Sequence, residues 1–278
     1  MPARCYDPRT MVTPFARSAL ALLFIAAGAL AQAPAAATPV DPALPDQLKE
    51  LKSFVADTKM AADFQAIGLM QKLAKDAAAR NPKDKDKLAK GIGEVFRTGK
   101  VRTGDKEILY REASDALAKL EEDGSKEIAK ALGDARFKDA VALQAHMALA
   151  LGRTQDEKQV ETLLELMSRS PHDELRAAGG EALGAYDHMD VKVRREVVDK
   201  IIKEWGSLHS KASRIDNPDP NAPIDTDSQN ARKTLRVVEG KWVATLQKLT
   251  GVTQPGFLEW QRWQNKNKDW TPPTSKKS

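Results

Sequence analysis

Cysteine is almost absent from this chain; the one copy is Cys5, close to the N-terminus. Everything beyond it is closed to thiolate zinc sites, cysteine nucleophiles and disulfide frameworks. Histidine is nearly as scarce, with His146, His172, His188 and His209 the only four. No two of them stand in the His-Glu-x-x-His spacing that sets two metal ligands and a general base on one helix face. Glycine-rich phosphate loops, nucleophile elbows and paired-carboxylate motifs are missing as well. No stretch alternates apolar and polar residues with the β-branched enrichment of a strand. Neither charge sign dominates: 44 Lys and Arg stand against 39 Asp and Glu, interspersed as on solvated helix surfaces. Such mixing lacks the clustered basic footprint of a nucleic-acid binder.

What is present begins with a leader. Residues 18–31 are apolar and uncharged, Arg17 precedes them, and Ala29 and Ala31 form a small-residue cleavage site. That order of regions is the pattern of a secretory signal. The run is too short for a stable membrane span, which takes ~20 residues. Residues 1–31 are therefore expected to be a signal peptide, and the protein to be exported, periplasmic or extracellular. The leader holds Arg4, Arg9 and Arg17 against Asp7, so its removal takes two from the whole-chain net charge of +5. About 245 residues remain, enough to build a core without disulfide staples.

Residues 32–45, rich in Pro and Ala, read as an extended linker. Helical spacing follows, with Leu48, Leu51 and Val55, then Phe64, Ile67 and Leu73, on expected buried faces. Asn81-Pro82 breaks it. Lys83 to Lys87 is either a polar turn or the exposed first turn of the next helix. From there an echo of roughly 33 residues dominates the chain. Ala116-Leu117 returns as Ala150-Leu151 and as Ala182-Leu183, at steps of 34 and 32 residues. Each pair sits late in a helical run, followed by a polar break and a second run. Such repeats mark stacked helical hairpins, none of which can bury its apolar face alone. Asp123-Gly124-Ser125 is expected to end one run, with Ser125 capping the next. Gly152 is expected to cap another, and Pro171 to lie in the first turn of a third. The array, residues 46–205, is expected to stop at Gly206. A turn-rich loop over 206–227 leads to a C-terminal helical cap over 228–270. That cap holds a long helix, a short tryptophan-bearing helix and Trp270; residues 271–278 form a flexible tail.

These features resemble the HEAT-repeat proteins. The helix-pair period, the Ala-Leu-Gly ends at Ala150 to Gly152 and Ala182 to Gly184, and the charged second helices carry the resemblance over about residues 105–205. The tail is similar to the Trp-x-x-Trp ending of exported HEAT-like proteins from environmental bacteria, here Trp260, Trp263 and Trp270. HEAT units typically run longer, ~40 residues, and the echo is nearer the ~33–34 residues of ankyrin and tetratricopeptide units, but the signatures of those two families are absent. The resemblance implies an all-α solenoid that binds proteins, and it brings no catalytic residues.

Each candidate site has a plainer reading beside it. His146, in an apolar helix, reads as a hydrogen-bonded core or groove residue. The aspartates at 187 and 190 read as helix caps. Asp216, Asp219, Asp225 and Asp227 lack the spacing, glycine and glutamate of a calcium loop and read as turn formers. Lys192 and Arg195 head a basic group that Asp190, Glu196 and Asp199 interrupt. Trp260, Trp263 and Trp270 either form a binding hot spot or close the open end of the stack, and the cap is preferred. The partner-binding candidates are therefore Trp260, Trp263, Trp270, Lys192 and Arg195. No catalytic residue, cofactor or metal is expected, and the chain is not expected to be an enzyme. The expected role is protein binding or scaffolding in the cell envelope, without nucleic acid and without a membrane span once the leader is removed. Competing roles are an accessory subunit of an envelope enzyme and a nucleic-acid-binding helical-repeat protein.

Overall fold

The computed structural model describes residues 39–214 and 225–272. The signal segment 1–31, Asp216 and Asp219, and most of the tail over 271–278 lie outside the described residues. Among those described, the structure is helical with no strand. The helices are α1 Leu44–Ala56, α2 Asp63–Lys75, α3 Pro82–Arg97, α4 Ile108–Ala118, α5 Glu122–Leu132, α6 Val141–Arg153, α7 Val160–Arg169, α8 Asp173–Ala182, α9 Val191–Ala212, α10 Thr226–Thr250 and α11 Phe257–Lys266.

Apolar periodicity places the helices, but several breaks differ from expectation. The linker ends sooner, because Leu44 is fully buried and opens α1 with Pro45 in its first turn. Asn81 caps α3 by accepting from the Asp84 amide, so the Lys83–Lys87 run is a first helical turn. Asp123, Gly124 and Ser125 lie inside α5 rather than ending α4. The turn falls instead at Glu121, which adopts φ +54°. Gly124 serves close packing there: a Cβ would stand 1.9 Å from the Leu117 carbonyl oxygen. Gly152 likewise lies within α6, where a Cβ would meet the Ala182 carbonyl oxygen at 2.6 Å, and Gln155, at φ +56°, turns the chain. Pro171 precedes α8, whose N-cap is His172. The array does not stop at Gly206, because α9 continues to Ala212 and Gly206 lets the Phe257 ring lie against it. Phe64, expected inside, is 81% exposed, while its neighbour Asp63 turns inward to a buried arginine.

The helices fall into two rows. In one, α2, α4, α6, α8 and α10 pack in succession; in the other, α1, α3 and α5 do so and α7 meets the edge of α9. The pairing is offset from the expected one. α6 and α7 do not pack closely; α7 is laid on α8 and α9 on α10, with α11 on α9. A single core runs through both rows from Leu44 to Trp270. One buried ion pair fixes the N-terminal part. The Arg102 guanidinium bonds Asp63 at 2.8 Å and the carbonyls of Val55 at 2.8 Å and Lys100 at 2.9 Å. These partners satisfy a side chain that is otherwise costly to bury.

Candidate protein-interaction face

Close packing in the first row opens the second. From α6 to α10 the first row is drawn together by glycines. A Cβ on Gly152 would stand 2.6 Å from the Ala182 carbonyl oxygen of α8, and one on Gly180 2.1 Å from the Trp242 indole nitrogen of α10. Trp242 donates its indole N–H to the Arg176 carbonyl at 3.3 Å, and Thr245 donates to the Gly180 carbonyl at 2.9 Å. In the second row nothing similar joins α5 to α7. α7 is left as a ridge with an open groove on either side.

The groove between α5 and α7 has a volume of about 500 Å³. Ala129, Leu132 and Gly133 of the α5 side face Thr162, Leu166 and Arg169 of α7, over Gln144 and Leu175. Its charged lining residues are Lys138, Glu165 and Arg169. Arg169 donates to Glu165 at 2.9 Å, which leaves Lys138 as the uncompensated charge. The groove between α7 and α9 is smaller, about 190 Å³, and polar, with Glu161, Lys200, Lys203 and Glu204 around Leu164 and Met167. Arg176 anchors Glu204 there at 2.6 Å.

The residues singled out in the sequence lie apart from these grooves. Trp260 is fully buried and Trp270 is 9% exposed. Trp263 is half-buried between them, with ring centroids 5.5 Å from Trp260 and 5.7 Å from Trp270. The three rings lie in the core of the C-terminal end rather than forming an open patch. Arg195 is engaged in the same closure, donating to the Trp270 carbonyl at 2.8 and 2.6 Å. Lys192 is exposed in the first turn of α9, whose cap Asp190 accepts from the Lys192 amide. Asp225 caps α10 in the same way, accepting from the Ser228 amide.

The opposite face, formed by α2, α4 and α6, carries polar cross-ties. Gln71 donates to Glu112 at 2.9 Å, and Asp115 bonds both His146, at 3.0 Å, and Arg153. Burial would raise the Asp115 carboxyl, but the hydrogen bonds from His146 and Arg153 outweigh it and hold the group below its usual range. The neighbouring cavity of about 630 Å³ is lined by Gln71, Lys75, Glu112, Asp115, Ala118, Lys119 and Arg153. None of these is a hydroxyl or thiol nucleophile that a His–Asp pair could activate. His188 lies 3.7 Å from Asp187 beside an open cavity at the loop edge. Among the described residues no three His, Cys, Asp or Glu side chains are gathered to hold a metal ion. No helix among them is long and apolar enough to cross a membrane.

Compared with family models, with curated proteins and with solved structures, the chain matches none. The groove residues had one sequence signal. Leu166 falls outside the stripe of Val160, Leu163, Leu164 and Met167 that buries α7, so it is an apolar residue beyond what the core requires.

Proposed function

We propose that this chain is a non-catalytic, HEAT-like α-solenoid that binds another protein in the periplasm or cell envelope. The α7 ridge and its two flanking grooves would be the contact face. The observation that carries the reading is the splayed second row. A packed helical array in which one helix stands between two grooves, one mainly apolar and one lined mainly by charged residues, presents relief and chemical contrast for shape recognition. The signal-like segment 18–31 supports export, and the helix-pair period supports the solenoid.

A photo-crosslinking residue in place of Glu165, on the ridge, tests this against the same residue in place of Glu112, on the opposite face. Incubation with the native envelope fraction is expected to give a discrete crosslinked protein from position 165 alone. A product from position 112 alone, or none from either, overturns the reading.

A further inference from the structure

We propose that the groove between α5 and α7 seats a short amphipathic helix of the partner protein, with its apolar stripe on Leu132, Leu166 and Leu175 and a carboxylate at the stripe's margin opposite Lys138. This rests on the α7 face being the interaction surface and goes further by naming the occupant. Three observations select it. First, both walls are helices, whose main-chain groups are bonded within themselves. No row of free N–H and C=O groups exists to accept an added strand, so recognition falls to side-chain packing, as when a helix lies in a groove.

Second, α5 packs on α6 and α7 on α8, two adjacent helices of the first row, without α5 and α7 closing on each other, and the groove lies between them. Leu132 and Leu166 approach it half-buried from opposite walls, and Leu175 forms a buried floor. About 500 Å³ falls within the usual range of binding pockets and suits the apolar side chains of about two helical turns. Third, the charge lining is unbalanced by one. Glu165 and Arg169 neutralise each other, while Lys138, an exposed lining residue, forms no ion pair among the described residues, so the complementary helix carries one acidic residue opposite it.

The test is fluorescence polarisation of the chain with designed helical peptides about 14 residues long, roughly four turns. One carries a Leu stripe at i, i+3 and i+7 with Glu at its margin. A second has Lys in place of that Glu, and a third has the stripe scrambled. The Glu peptide is expected to bind at least tenfold more tightly than the other two, and to block crosslinking from position 165. Leu166→Glu is expected to weaken it at least tenfold with the helical circular dichroism unchanged. Lys138→Glu, a fully surface change, is expected to reverse the order of the Glu and Lys peptides. Absence of stripe-dependent binding, or an order unchanged in Lys138→Glu, overturns the helix inference. If position 165 still captures a protein in that case, the interaction face stands and only its occupant is wrong. If position 165 captures nothing, both readings fall.

Discussion

Gly68 and Gly180 both lie inside helices, and opposite forces act on them. Around Gly68 a Cβ would meet nothing within 4 Å, so Gly68→Ala removes only backbone freedom from the unfolded chain and is expected to stabilise by up to about 1 kcal/mol. At Gly180 the same methyl would strike the Trp242 indole, and Gly180→Ala is expected to destabilise by about 1–3 kcal/mol. Urea midpoints of the two variants should move in opposite directions. Arg102 is a third case. Its side chain is fully buried, with Asp63 as its only charged partner among the described residues, so Arg102→Met leaves that carboxylate without a counter-charge. The expected loss is about 3–5 kcal/mol, read from the same denaturation curves.

Between elements, the ties are carboxylates that reach across helices. Asp115 of α4 holds His146 and Arg153 of α6; Glu127 of α5 holds Arg97 of α3 and its own neighbour Lys130. At both carboxyls burial pushes the pKa up, and the hydrogen bonds push it further down. Their folded values lie below the ordinary 3.8 for Asp and 4.5 for Glu. The stability they contribute is therefore complete above those values and is lost as pH falls through the lower, folded ones. The thermal midpoint is expected to hold from pH 7 to about 5.5 and to drop below about pH 4.5. Glu127→Gln should make that acid limb shallower. At the C-terminal end, Phe257 of α11 packs on Trp205 and His209 of α9 and Trp260 is fully buried beside Trp263; Trp260→Ala is expected to cost about 3–5 kcal/mol in chemical denaturation. These elements also show what sequence could disclose. The stripes of α7 and α9 and the cap Asp190 are local patterns that the sequence discloses, whereas Asn81 reads only as a break and Asp225 only as a turn former until the helices they cap are in place. Gly124, Gly152 and Gly206 were misread as stops because a glycine that ends a helix and one that admits a neighbour look alike until the neighbour is in place.

For the molecule as a whole, helical content was legible, whereas the row each helix joins was not. Which neighbour a stripe covers depends on close approaches such as Gly152 to Ala182, which link residues 30 positions apart and leave no local periodic trace. The groove beside α7 is a product of those approaches and was invisible for the same reason; only Leu166 hinted at it. The tryptophans have a consequence of another kind. All five, Trp205, Trp242, Trp260, Trp263 and Trp270, belong to the C-terminal third of the chain, and α1 through α8 contain none. Intrinsic fluorescence is thus a regional reporter, blind to two-thirds of the helices that far-ultraviolet circular dichroism sees. In an array stabilised mainly by nearest neighbours, distant units can melt separately. Arg102→Met, acting at the other end, is expected to lower the dichroism midpoint in urea while the fluorescence midpoint lags behind. Equal shifts in the two signals would show that the chain unfolds as one cooperative body.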